Sequence, residues 1–213
     1  MTARSWYSIT NRAAGEAEVF VYDEIGAHGI TAKAFVAALT PLASKPIRLR
    51  VNSPGGSVFD AVAIYNALKG HRHKVTAVVE GLAASAASVI IMAAAEIRAA
   101  GNSFLMMHNP HGICLGDAED MRKMGDLLDR VRVPLVAAYR RSGKTDAEIE
   151  ALMDAESWYS ADEAKQHGFV DYVDQPIQIA AHFDLSKFNY RHAPQPSPAD
   201  AWGKVINAKF SKP

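Results

Sequence analysis

Along the first half of the chain the apolar positions switch between a period of two and a period near 3.6, and the switches fall at glycines. Ala17 to Gly26 (AEVFVYDEIG) reads as a strand that stops at Gly26. Thr31 to Thr40 puts Phe35, Val36 and Leu39 at helical spacing, with Thr31 as N-cap and Pro41 as a stop. Pro46 to Ser53 alternates Ile47, Leu49 and Val51, runs into Pro54-Gly55-Gly56, and is followed by Val58, Val62, Tyr65 and Leu68 at helical spacing. Lys74 to Gly81 is a second β-branched strand ending in glycine, and the small-residue run LAASAASVIIMAAA comes after it. The uncharged stretch from Gly81 to Ala95 reads as a buried helix, too short for the roughly 18 to 20 residues that span a bilayer. Two successive strand, glycine turn and helix units predict an α/β core.

The second half is more helical. Glu96 to His108 reads as two short strands around a Gly101-Asn102 turn. Asp117 to Arg132 is amphipathic, with Met121, Met124, Leu127, Leu128 and Val131 on one face. Thr145 and Glu148 have capping-box spacing and open a helix through Ile149 and Leu152. Ser160 to Gly168 predicts a last short helix before FVDYV. From Asn189 the composition turns to proline and small polar residues, which predicts a domain over residues 1–188 and a flexible tail over 189–213.

Composition narrows the functional classes. With 49% hydrophobic residues in 213, the chain can bury a sizeable core. Lys plus Arg and Asp plus Glu each number 23, so the broad positive field that nucleic acid or anionic lipid requires is lacking, and neither is expected as a partner. The single cysteine, Cys114, excludes an internal disulfide framework, and no His/Cys cluster suggests a metal or other cofactor. The opening MTARSWYSITNRAAG lacks the order of a secretory signal, and a cytoplasmic location is expected.

The candidate chemistry sits at the two glycine-rich strand ends, NSPGGS (Asn52 to Ser57) and EGLAASAAS (Glu80 to Ser88). Turns of this kind let backbone N–H groups face a ligand without interference from a Cβ, and the following helix adds its positive end. No Gly-Lys-Ser/Thr follows, which disfavours a Walker-type nucleotide site. Ser85 stands at a helix start among Ala83, Ala84, Ala86 and Ala87, suited to a nucleophile but also to a packing residue or cap. Ser88, a turn later, reads as packed. Among the eight histidines, His108 follows the apolar Phe104 to Met107 and precedes Asn109-Pro110, which places an imidazole at a strand end. A structural, hydrogen-bonded histidine fits that pattern too. His71, His73 and His111 lie in polar turns, and His167 suits the C-terminal dipole of its helix.

Taken in order, NSPGG, GLAASAAS and MMHNP resemble the three successive active-site blocks of the Clp protease proteolytic subunit (ClpP) family, and ESWYSADEAKQHGFVD resembles its closing block. The resemblance runs roughly from Glu18 to Val173. SWYSITN, VFVYDEIG and MDAESW resemble phage-encoded ClpP-like head maturation proteases more than the housekeeping enzyme. The family implies a ClpP/crotonase-like fold of repeated ββα units with a protruding handle helix. It also implies serine endopeptidase activity, with Ser85 as nucleophile, His108 as general base, and the N–H groups of Gly56 and Ala86 as oxyanion hole. The third triad position falls on Glu156, chosen over Asp154, where the family has aspartate.

The resemblance further implies a polypeptide substrate and a homo-oligomeric ring or double ring joined through the Asp117 to Arg132 helix. Capsid proteins or an ATP-dependent unfoldase are the other partners it suggests. Two competing functions remain open. One is a catalytically silent capsid-assembly protein in which Ser85 and His108 fail to align. The other is a crotonase-like acyl-CoA enzyme, against which the pairing of Ser85 with His108 argues.

Overall fold

The computed structural model describes residues 10–11, 15–178 and 183–193. Its strands are β1 (Thr10–Asn11), β2 (Ala17–Val21), β3 (Ile47–Ser53), β4 (Val75–Ala84), β5 (Glu96–Ala100), β6 (Phe104–Met107), β7 (Ser157–Ser160) and β8 (Tyr172–Asp174). The helices are α1 (Ala32–Leu39), α2 (Val58–Lys69), α3 (Ala86–Ile91), α4 (Ala118–Tyr139), α5 (Asp146–Asp154) and α6 (Ala161–Gln166). The strands form one sheet in the order β1-β2-β3-β4-β5-β8, and β6 joins it by pairing with both β4 and β7. Strands β2, β3, β4, β5 and β8 run parallel, as strands connected through helices must.

One face of the sheet is the core. Ala17, Val19 and Val21, then Ile47, Leu49 and Val51, then Val75, Ala77 and Val79 are buried with Phe35, Ile64, Leu68, Ile90 and Ile91 of the helices. The other face carries Arg48, Arg50, Glu80 and Arg98, and there Arg50 reaches Glu80 at 2.5 Å. Only one face of these parallel strands is apolar, so the alternation stayed visible in the sequence instead of merging into continuous hydrophobic runs.

The central strand departs from expectation. Gly81–Ala84 is not helical: β4 continues through it. The register advances from Val51↔Val79 to Ser53↔Ala83, so β4 carries two residues more than β3 over that interval. Asn52 Oδ1 accepts the Leu82 N–H (3.1 Å) across this irregularity. The bulge bends β4 away from β5, which it pairs over Thr76–Val79, and onto β6, which it pairs over Leu82–Ala84. Accordingly β5 and β6 do not form a hairpin around Gly101-Asn102. Both run parallel to β4, one after the other. The strand β7 was not foreseen; it closes antiparallel on β6.

Helix α4 begins at the Asp117 capping box and passes through Pro134 to Tyr139. Its second half is anchored in the core by Leu135, Val136, Ala138 and Tyr139, which outweighs the N–H lost at Pro134. The first half projects from the body. Met121 is 47% and Leu127 43% exposed, and Met124, Leu128 and Val131 are only partly covered. This is the handle geometry the resemblance implied. Among the described residues no helix is long and apolar enough to cross a membrane.

Candidate active site

Ser85 sits between the end of β4 and the start of α3, at φ 53° and ψ −123°. Only a sparsely populated backbone state turns a strand into a helix so abruptly, and such strain holds the side chain out from the turn. The Ser85 N–H donates to the Met106 carbonyl (3.0 Å). The Ser85 carbonyl accepts the Ser88 hydroxyl (2.7 Å), so Ser88 is packed as its spacing suggested.

His108 is delivered by the adjacent strand. Ala84 and Met106 are register partners, so the residues just past the two strand ends meet. Ser85 Oγ lies 2.8 Å from His108 Nε2. Burial, the neighbouring His111 and the charge of Arg191 lower the His108 pKa to about 4, against a raising contribution from Glu156. The imidazole is therefore neutral near neutral pH. A neutral Nε2 can accept the serine proton.

The Pro54-Gly55-Gly56 turn borders Ser85. A Cβ on Gly55 would lie 2.8 Å from Ser85 Cβ and 3.0 Å from the Ala86 nitrogen, and one on Gly56 would meet the Ile25 carbonyl oxygen at 2.1 Å. Both glycines have positive φ, so neither position tolerates a side chain. Ile25 pairs with this turn through the Gly55 carbonyl and the Ser57 N–H, a parallel pattern that turns the Gly56 N–H to the opposite side. Ala86 is the first residue of α3, where the N–H has no intrahelical acceptor. A cleft of about 270 Å³ runs past these groups, lined by Gly56, Ser85, Ala86 and His108 and floored by Val58, Val89, Leu135 and Tyr139.

The two candidate carboxylates point to different places. The segment is not extended, since Asp154 ends α5 and Glu156 takes φ 49°. Asp154 accepts from Asn109 Nδ2 (2.7 Å) and pairs with Arg132 (3.0 Å), out on the surface. Glu156 is 6% exposed. Its Oε1 accepts from the His192 N–H (2.7 Å) and the Trp158 indole (3.2 Å), and its Oε2 from the Arg191 N–H (2.9 Å). Burial works against its charge, but these donors prevail and keep the carboxyl below its usual range. Its charge is felt by His108, but the hydrogen bonds of Glu156 run to the Arg191 and His192 N–H groups and to Trp158.

Tyr190 is the participant that sequence reasoning missed. Its hydroxyl donates to the Pro54 carbonyl and lies near the Ser85 side chain. Its ring meets His108 edge-on at 5.4 Å. The one available signal was the aromatic pair Phe188 and Tyr190 in an otherwise polar segment. His111, read as a solvated turn residue, is exposed, yet its ring lies 5.2 Å from that of His108. Among the described residues no cluster of three His, Cys, Asp or Glu could hold a metal.

Comparison with known proteins places the chain in a family. A family model described as Clp protease matches residues 1–176. The ATP-dependent Clp protease proteolytic subunit 1 of Protochlamydia amoebophila (strain UWE25) is 36% identical over 134 residues, covering 61% of this chain and 65% of that protein. The proteolytic subunit 1 of Leifsonia xyli subsp. xyli (strain CTCB07) is 30% identical over 164 residues, 76% of this chain and 82% of that protein. The proteolytic subunit of Chlorella vulgaris is 34% identical over 133 residues, 61% of this chain and 66% of that protein. The alignments thus span just under two thirds of the length of the first and third relatives. With residues 1–176 matched by the family model, and with these relatives, the chain belongs to the Clp protease family.

Proposed function

We propose that the protein is a serine endopeptidase of the ClpP type, in which Ser85 is the nucleophile, His108 the general base and Glu156 the triad carboxylate. The N–H groups of Gly56 and Ala86 form the oxyanion hole. The 2.8 Å contact between Ser85 Oγ and His108 Nε2 carries this reading. That alignment supports the catalytic reading over a silent assembly protein.

Serine is a weak nucleophile at its free pKa, so His108 takes the Oγ proton as Oγ bonds to the scissile carbonyl carbon. The carbonyl π pair moves onto oxygen. Two preplaced N–H groups hold that oxyanion, each worth on the order of 3 kcal/mol. His108 then returns its proton to the departing amine, and the C–N bond breaks. Water, deprotonated by the same imidazole, releases the acyl group and restores Ser85. A carboxylate at position 156 stabilises the imidazolium that forms at each step.

The apolar stripe on the projecting first half of α4 supports assembly into a ring or double ring of identical chains, with polypeptide substrate admitted from outside. An ATP-dependent unfoldase as partner, a cytoplasmic location and a role in phage head maturation extend the same reading. Labelling with a fluorophosphonate tests it: Ser85 Oγ bonds to phosphorus as fluoride leaves. Wild-type protein should carry the label on Ser85, and Ser85→Ala should lose both the label and peptide cleavage, by about 10⁵ to 10⁶ in rate. A Ser85→Ala protein that cleaves at the wild-type rate overturns the assignment.

A further inference from the structure

Residues 188–192 touch His108, Glu156 and the Pro54 carbonyl, all in or beside the proposed site. Tyr190 donates to the carbonyl of Pro54, the first residue of the oxyanion turn, and its hydroxyl lies beside the Ser85 side chain. The Tyr190 ring stands on edge against His108 (5.4 Å) and Trp158 (5.7 Å), and Phe188 stacks on it at 5.7 Å. The next two N–H groups, of Arg191 and His192, take one oxygen each of Glu156. We infer that residues 183–193 form an autoinhibitory strap, an intramolecular ligand whose Tyr190 plugs the Ser85–His108 centre and whose backbone holds the Glu156 carboxylate.

The core is built without this segment. Its buried cluster runs from Ala17 to Val170 and includes no residue of the strap. Arg191 and His192 are themselves exposed. The strap is held by a small aromatic cluster and a few hydrogen bonds, each worth about 0.5–1.5 kcal/mol net, so it can leave while the domain stays folded. Tyr190 occupies one side of the Ser85–His108 pair, space that a polypeptide crossing that side of Ser85 requires. Departure of Arg191 and His192 also frees two acceptor oxygens on Glu156 for the imidazole. Closure therefore blocks the nucleophile and diverts the carboxylate together.

This inference rests on the serine peptidase reading, and one experiment separates the two. The full-length protein and its variants are treated with a fluorophosphonate, and the rate of Ser85 labelling is followed by mass spectrometry. Tyr190→Ala removes the plug and keeps both N–H donors. Arg191→Pro removes one donor to Glu156 and keeps the plug. A strap closed most of the time lowers the reactive fraction in proportion, so both variants should label about tenfold faster than wild type or more. Tyr190→Phe, which retains the ring, should stay closer to wild type than Tyr190→Ala does. Equal labelling in wild type, Tyr190→Ala and Arg191→Pro overturns the strap and leaves the peptidase reading intact. Slower labelling in both variants also overturns it, because the segment would then be supporting the triad. Absence of label on Ser85 in every form overturns the peptidase reading itself.

Discussion

Ser88 and Tyr139 are joined by a 2.7 Å hydrogen bond in the core, behind the candidate nucleophile. Ser88 has one proton and gives it to the Ser85 carbonyl, so the Tyr139 hydroxyl is the donor to Ser88. Burial raises the Tyr139 pKa and keeps that proton in place. The strained turn at Ser85 is thereby tied to the anchored half of α4.

The chain of donors gives the two ends different weights. Ser88→Ala strands the buried Tyr139 hydroxyl and should cost about 1–3 kcal/mol, whereas Tyr139→Phe, which leaves Ser88 its bond to Ser85, should cost about 0.5–1.5 kcal/mol. In a chain of this size each 1 kcal/mol lowers Tm by roughly 2–4 °C. Calorimetry on both variants checks the order; a Tyr139→Phe loss exceeding that of Ser88→Ala would reverse the assigned donors.

The two carboxylates should separate in a peptidase assay. Glu156→Gln removes the charge beside His108 and should lower the rate by about 10² to 10⁴. Asp154→Asn alters an exposed pair with Arg132, worth about 0–1 kcal/mol, and should leave cleavage close to wild type. A large loss at Asp154 with little at Glu156 contradicts the assignment.

Titration of His108 should follow the strap. Burial, His111 and Arg191 press its pKa down to about 4, with Glu156 opposing and the neutral Tyr190 ring adding cover. Between the unfolded value and that folded value the unfolded chain binds more protons. His108 therefore subtracts stability as pH falls from about 6.5 toward 4, and subtracts nothing above about 6.5. Tyr190→Ala relieves part of the burial, so the His108 resonance should titrate at a higher pH than in the wild type when followed by NMR. A titration midpoint unchanged by Tyr190→Ala would mean that the ring does not cover the imidazole in solution.

Assembly should depend on the projecting half of α4. Leu128 lies on its partly covered apolar stripe, with Met121, Met124, Leu127 and Val131. Leu128→Glu puts a charge where a second chain would bury it, and sedimentation should give smaller particles than wild type. A wild type that sediments as a 23.0 kDa monomer at micromolar concentration and is fully active contradicts this.

Much of the frame was legible in the sequence because it depends on neighbours a few residues apart. The alternation in Ile47, Leu49 and Val51 placed β3, the Thr145 and Glu148 spacing placed the start of α5, and the two glycines at 55 and 56 marked a turn open enough for a ligand. Ser85 and His108 were each ambiguous alone, and only their order among the family-like blocks singled them out. The tertiary structure decided what depends on residues far apart in the chain. The small, uncharged residues Gly81–Ala84 suit a buried helix as well as a buried strand, and it is pairing with β6, about 22 residues on, that makes them strand. Ser157–Ser160 is too short to declare itself; its edge-to-edge hydrogen bonds with β6 make it β7. Whether Glu156 serves His108 or the strap is also a matter of tertiary contact, because the competing donors at Arg191 and His192 lie 35 and 36 residues away. Local periodicity reports which face of an element is apolar, and it carries no record of which distant backbone N–H will find a given carboxylate.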